Sequence, residues 1–370
     1  MNFAFDEEQE ELRRTVRRFL DEHAAEPEIR RLMATDDGDD PKLWALMSGQ
    51  LGLPAIAIPE EHGGAGFSFV ELGIVLEELG RALACTPFFS TTVLAGRLLL
   101  GLDDERAEAY LGAIAAGAIR ATVALTEASG SWSPGQVAMR AVETAGGARL
   151  NGAKDYVLDG ATADLILVVA QADDGLGVFA VDAAAPGLTR TPLTTIDLTR
   201  KQARLEFDSV PARRLGADAS TAVTSMLRQA AVALAAEQAG GAQRVLEMAV
   251  DYAKIREQFG RPIGSFQAIK HKCALMLTEV ESMKSAAYYG LWCVSSGSPE
   301  LPAVASTAQV FCSDAYVHVT GENVQIHGGI GFTWEHPAQL YFKRAQSAKA
   351  FLGSPDQHRE ILTGLYGLSS

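Results

Sequence analysis

Arg256–Gln267 reads REQFGRPIGSFQ, and Gln325–Phe332 reads QIHGGIGF. Each stretch interrupts long Ala/Leu/Met-rich texture with glycine, and each carries polar groups suited to an anion. A pyrophosphate bears two negative charges and is held by a guanidinium, whose planar fork bonds two oxygens, together with backbone N–H groups that glycine leaves accessible. Arg256 and the Gly328-Gly329 pair supply both kinds of group. Taken singly, each stretch has a plainer meaning: Arg256 caps a helix end before Gly260, and Gly328-Gly329 marks a turn. Their order, with a helical hairpin between them, favours one shared site.

Around these stretches the texture is helical. Apolar segments with few internal breakers run from Thr221 to Ile255, Gln267 to Val294, Pro302 to Val324, and onward from Pro337, which predicts a four-helix bundle. From Ala121 to Ala217 the texture is different: ATVALTE, RAVETAGGARLNGAKDYVLDG, DLILVVAQA, GLGVFAVD and QARLEFDSV are short β-branched runs separated by Gly, Asp and Pro. These predict a small antiparallel barrel or sandwich. Upstream, Asp6 can cap a helix with Gln9 three positions on, and Leu12, Val16, Phe19 and Leu20 recur at helical spacing. A Gly/Asp-rich break at Asp36–Asp40 precedes further helical segments reaching Gly117. The expected fold is mainly α with a central β domain, divided as 1–118, 119–218 and 219–370.

Composition narrows the function classes. A chain of 370 residues that is 48% hydrophobic can bury a sizeable core. Its net charge of −14 repels polyanions, and no basic run offsets it, so nucleic acid is not an expected partner. Cys85, Cys273, Cys293 and Cys312 include no CxxC pair, so neither a metal site nor a disulfide framework is indicated, and all four read as reduced core thiols. MNFAFDEEQEE lacks the features of a signal peptide, and no apolar run reaches membrane-spanning length; a cytoplasmic protein is expected. No Gly-x-Ser-x-Gly elbow supports a Ser/His/Asp hydrolase.

The two opening motifs, their order and the helical–β–helical texture resemble the acyl-CoA dehydrogenase family over nearly the whole chain. The resemblance implies an N-terminal helical domain, a middle β-barrel, a C-terminal four-helix bundle and FAD as cofactor. In that family the R-x-x-F-G and Gln-x-x-Gly-Gly segments reach across a subunit interface to the adenosine and pyrophosphate half of a neighbour's FAD. Carried over, those positions are Arg256, Phe259, Gln267, Gln325, Gly328 and Gly329. His327, beside the glycine pair, reads as a packing residue. Pro59-Glu60-Glu61-His62-Gly63-Gly64-Ala65-Gly66 looks like the family's Pro-Glu-x-x-Gly-Gly-x-Gly turn, with a structural role.

The flavin-ring side departs from the family. The usual Thr-Glu-Pro-Gly-x-Gly-Ser loop is here Thr126-Glu127-Ala128-Ser129-Gly130-Ser131-Trp132, and the usual Trp-Ile-Thr/Ser-Asn segment is Tyr156-Val157-Leu158-Asp159. Thr126 is retained, Tyr156 substitutes one aromatic for another, but Leu158 replaces a hydroxyl and cannot donate to a flavin nitrogen. Trp132 or Ser131 falls where a small polar residue usually positions the CoA diphosphate.

Desaturation of an acyl thioester needs a carboxylate to remove the α-proton. Both positions where the family places that Glu are empty: Leu352 stands at the one near the C-terminus, and Ala230 at the one on the first bundle helix. Glu237 lies two turns from Ala230, ~11 Å along a helix, and Asp356 follows Pro355, where capping of the next helix is the plainer role. Motifs lent to a neighbour are therefore intact while those serving the chain's own site are altered. This pattern resembles one subunit of the actinobacterial α2β2 steroid acyl-CoA dehydrogenases. The expected function is a subunit that completes a partner's FAD site, with a bulky, steroid-like acyl-CoA as substrate and electron-transfer flavoprotein as acceptor. The alternatives are a self-sufficient homotetramer using a displaced base, and a flavin-free scaffold.

Overall fold

The structure is a computed structural model that describes residues 5–144 and 147–368. The first helix, α1 (Glu7–His23), opens with the expected reciprocal cap: the Asp6 side chain accepts from the Gln9 N–H, and the Gln9 side chain accepts from the Asp6 N–H. It is followed by α2 (Glu26–Met33), α3 (Pro41–Gly49), α4 (Phe69–Ala82), a π-helical segment Phe89–Ala95 that runs into α5 (Gly96–Leu100), and α6 (Glu105–Ala115). Then come β1 (Ala121–Ala124), β2 (Ala141–Thr144), β3 (Gly147–Leu158), β4 (Leu165–Ala172), β5 (Gly175–Asp182), β6 (Leu188–Pro192) and β7 (Gln202–Leu215). The chain returns to helix in α7 (Ser220–Ile255), makes a short hairpin of β8 (Glu257–Gln258) and β9 (Arg261–Pro262), and ends in α8 (Gln267–Ser295), α9 (Leu301–His327), α10 (Ala338–Ala350) and α11 (Pro355–Leu365).

These elements form two compact units. The helical unit comprises the chain up to Ile29, Phe69–Ala84 and everything from Ala231. In it, α4 crosses α7 by reciprocal glycine contacts. A Cβ on Gly80 would stand 2.0 Å from the Glu237 carbonyl oxygen, and one on Gly240 would stand 1.8 Å from that of Glu77. Backbone meets backbone at this crossing because neither glycine has a side chain. Arg13 and Tyr288 both bond the buried carboxylate of Glu77, and Arg17 forks onto Glu78 at 2.6 and 2.8 Å, tying α1 to α4.

The β unit holds residues 30–68 and 85–230. Its strands are ordered β1-β4-β5-β7-β3-β2, with β6 also paired to β7. β7 pairs with β3 over Gln202–Ala212 and with β6 over Ala203–Phe207, and its last residues, Arg213–Leu215, pair with β5. One bent strand thus belongs to both faces, enclosing a core of Leu150, Val157, Ile166, Phe179, Leu205 and Phe207. The expected antiparallel pattern fails where β1 pairs with β4 in parallel and where Arg140, just before β2, bridges Gln171 in parallel; the long connection between β1 and β4, which contains β2 and β3, allows the chain to come back in the same direction. The turn at Glu60–Gly66 is structural, as expected, since a Cβ on Gly64 would meet the Ile58 carbonyl oxygen at 1.9 Å. Among the described residues no helix is long and apolar enough to cross a membrane, and no group of His, Cys, Asp or Glu is placed to hold a metal. The cysteines are free; Cys85, Cys293 and Cys312 are buried, whereas Cys273 is only partly so.

Candidate functional site

In the helical unit, α7 ends where the sequence turns from Ala-rich to Arg256-Glu257-Gln258. Arg256 closes the helix with its backbone, donating to the Tyr252 carbonyl, while its exposed side chain makes no hydrogen bond or ion pair among the described residues. Beyond it, Gln258 pairs with Arg261 across a two-residue loop in which Phe259 (φ 55°) and Gly260 (φ 76°) are both left-handed. That is the hairpin turn whose twist matches its strands, but a left-handed phenylalanine is strained. Phe259 is 92% exposed and touches Phe266 edge-on, with ring centroids 6.0 Å apart, while the Arg261 guanidinium lies 4.2 Å over the Phe266 ring. Gln267, exposed, opens α8 directly after it.

The second motif reaches the same end of the unit. Buried His327, in the last turn of α9, stacks on Tyr252 at 4.3 Å and packs against His336 at 4.3 Å. Burial lowers its pKa, so the ring is neutral at neutral pH, and Nδ1 donates to the Asn323 carbonyl at 2.9 Å. This packing is the expected role for His327. Gln325, Gly328 and Gly329 are exposed. Gly328 has φ 61°, and a Cβ on either glycine would meet nothing within 4 Å, so the turn presents open backbone. Below the hairpin, a crevice of about 440 Å³ is lined by Ala253, Pro262, Gly264 and Ile269 with Lys254 and Lys270 beside them. Unpartnered guanidinium, accessible glycine backbone, exposed aromatic and apolar crevice with lysines together fit the adenosine and pyrophosphate half of a dinucleotide.

The positions expected for a base hold no available carboxylate. Ala230 is fully buried in α7. Glu237 is buried and bonds the equally buried Arg344 at 2.8 Å. Leu352 is buried in the α10–α11 turn with φ 64°, and that turn is pinned from its carbonyls: Gln309 donates to Phe351 at 3.0 Å, and His358 Nε2 bonds Leu352 at 3.0 Å. Asp356 is not the cap of α11. Ser354 takes that role, reciprocated by Gln357, because serine occupies the position before Pro355; Asp356 is exposed and bridges Arg359 at 2.6 Å.

In the β unit, the two segments expected near a flavin ring are adjacent. Tyr156, left-handed at φ 56° within a β-bulge, comes within 3.6 Å of the Cβ position of Gly130. Thr126 is buried, and its hydroxyl is already donated to the Asp155 carbonyl. Leu158 is buried too, and its carbonyl accepts from Thr122 at 2.5 Å. Lys154, fully buried, anchors the loop by donating to Leu125 at 3.0 Å and to Glu127 at 2.8 Å; burial lowers its pKa against the pull of Glu127. Neither Thr126 nor Leu158 offers a flavin ring an uncommitted side-chain donor, so at these two positions the ring half of the cofactor fits less well than the adenosine half fits the bundle end.

Sequence reasoning passed over Tyr252 and His336, which join the two motifs, and Lys154. The i−4 spacing of Tyr252 from Arg256 placed it on the right face of α7, but nothing in the sequence pairs it with His327.

Comparison with known proteins adds the following. Residues 6–118, 122–210 and 220–364 match the family models described as acyl-CoA dehydrogenase N-terminal, middle and C-terminal domains. The chain is 37% identical to acyl-CoA dehydrogenase IpdE2 of Mycolicibacterium smegmatis, covering 94% of this chain and 96% of that one. Among solved structures it resembles the Tcur3481-Tcur3483 steroid ACAD (TM-score 0.89, 32% identity, 98% of both chains covered). It also resembles the ChsE4-ChsE5 complex from Mycobacterium tuberculosis (TM-score 0.91, 29% identity, 100% of both chains covered).

Proposed function

Because the chain belongs to the acyl-CoA dehydrogenase family, a family of FAD-dependent oxidoreductases, we propose that it is the cofactor-completing, non-catalytic subunit of a heteromeric member. In this reading residues 1–118, 119–218 and 219–370 are its helical, β-barrel and bundle domains. Its partner is a second acyl-CoA dehydrogenase chain in an α2β2 assembly, its substrate a bulky acyl-CoA with a steroid side chain, and its electron acceptor an electron-transfer flavoprotein. Similarity to a steroid acyl-CoA dehydrogenase and to a two-chain complex supports the substrate class and the partner.

When bound, FAD supplies the hydride acceptor for desaturation. The chain's own part is electrostatic and steric. Arg256 would neutralise pyrophosphate charge, Gly328 and Gly329 would offer open backbone N–H groups to the phosphates, and Gln267 and Gln325 would add polar contacts. Phe259 would offer its exposed ring to the nucleotide. No carboxylate of this chain is assigned to remove the α-proton: Leu352 and Ala230 are apolar, and Glu237 is held by Arg344. The observation that carries the proposal is the bundle end, where Arg256 and Phe259 stand exposed beside an open glycine turn.

The test is to purify the chain alone and together with the product of a neighbouring gene, then to compare flavin absorbance and acyl-CoA oxidation. Flavin and turnover are expected in the mixed sample only. Turnover by the lone chain would establish a self-sufficient enzyme instead, and flavin absent from both samples would favour a scaffold.

A further inference from the structure

The face of α9 turned into the helical unit is polar. Ser306, Gln309, Ser313, Tyr316, Thr320, Asn323 and His327 recur in alternating steps of three and four, the spacing that an ordinary bundle fills with leucine and valine, and each is buried. Part of this seam is satisfied within the protein. Ser306 bonds His358 Nδ1 at 3.2 Å, Gln309 Nε2 donates to the Phe351 carbonyl at 3.0 Å, Gln238 Nε2 of α7 donates to Ser313 Oγ at 3.2 Å, and Thr320 donates to the Tyr316 carbonyl at 2.8 Å.

The remainder is not. Both amide atoms of Asn323, whose residue is 0% exposed, have no hydrogen-bond partner among the described residues, and neither do Oε1 of Gln309 and Oε1 of Gln238. The Gln238 amide reaches this seam from α7, since its Nε2 bonds Ser313, and Ser313 lies one turn from Gln309. Buried amides left without partners are costly enough that native cores rarely contain them, and orphaned atoms along one helix face mark positions for an internal ligand.

We infer that the α9 seam binds ordered internal water, at the Asn323 amide and at the paired acceptors Gln238 and Gln309. Water is the ligand that meets both demands: it donates two protons to a pair of carbonyl oxygens, and beside Asn323 it accepts from Nδ2 and donates to Oδ1. A metal ion would serve the acceptors but not the Nδ2 donor. The Asn323 position lies one turn below His327, so the bound water buttresses the helix end that carries Gln325, Gly328 and Gly329. At the other end, Gln309 and Ser306 lead to the turn that holds Leu352.

The deciding experiment is a crystal structure of the full chain at a resolution that places solvent. A water within hydrogen-bonding distance of the Asn323 amide, and a second shared by the Gln238 and Gln309 oxygens, is the expected result. Empty density at these atoms, or protein groups bonded to them instead, would overturn the inference. In solution, oxygen-17 relaxation dispersion should count fewer long-lived waters in Asn323→Leu than in the wild type, and an unchanged count would likewise overturn the Asn323 site. Should that variant fail to fold, the wild-type density still decides.

Discussion

Phe259 keeps a left-handed backbone at a fully accessible hairpin tip, where glycine or asparagine would be unstrained. Strain retained at an exposed aromatic supports the proposed role of the ring at the cofactor. Phe259→Gly should therefore raise the stability of the lone chain by about 1 kcal/mol, the order of the left-handed penalty, while weakening flavin retention by the assembled complex. Melting curves and flavin content read the two effects separately. Arg256→Ala should leave melting unchanged and loosen FAD by roughly 1.5–3 kcal/mol through the lost charge-assisted contact; unchanged flavin content would count against its assignment. Glu237 behaves differently. Its carboxylate neutralises buried Arg344, so Glu237→Gln should cost about 3–5 kcal/mol of stability, measurable by denaturant unfolding. Activity of that variant, measured where it remains folded, then separates loss of stability from loss of a base.

At the level of elements, the α4–α7 crossing is the least tolerant place in the helical unit. Gly80→Ala and Gly240→Ala each drive a methyl group onto a backbone carbonyl that cannot swing aside, and each should exceed the roughly 1–3 kcal/mol typical of overpacking, seen as lost soluble yield. Gly321→Ala in α9 is the contrast: its Cβ would meet only the Phe342 ring at 3.9 Å, so helix propensity alone should stabilise the chain by about 0.8–1 kcal/mol. The sequence made α1 and the end of α7 at Ile255 legible, because a capping pair and a Gly-rich break are local signals. It did not disclose β6, whose residues are mostly exposed and polar and so lack alternation, nor the π-helical segment at Phe89–Ala95, which depends on burial among neighbours far along the chain. The same limit applies to the site. Arg256 and the glycine pair stood out by residue type, whereas the Tyr252–His327 stack that joins them, the Arg344 partner of Glu237 and the Ser354 cap that displaces Asp356 are matters of three-dimensional packing or of one-residue register.

For the molecule as a whole, two buried imidazoles contribute to the response to mild acid. Burial lowers the pKa of both His327 and His358 in the folded chain, whereas an unfolded histidine titrates near 6.5. Below about that pH the unfolded chain binds more protons than the folded one, so stability rises with pH through the window and is lost as pH falls. Denaturant unfolding at neutral and mildly acidic pH should show this slope, and His358→Gln should make it shallower. The β unit has a collective property of its own. Since β7 is bonded to β3 over Gln202–Ala212, to β6 over Ala203–Phe207 and to β5 at its end, neither face can fray while the other holds its ladder. Deuterium should accordingly enter the amides of β3, β5 and β7 at one common rate, as a single cooperative opening rather than strand by strand.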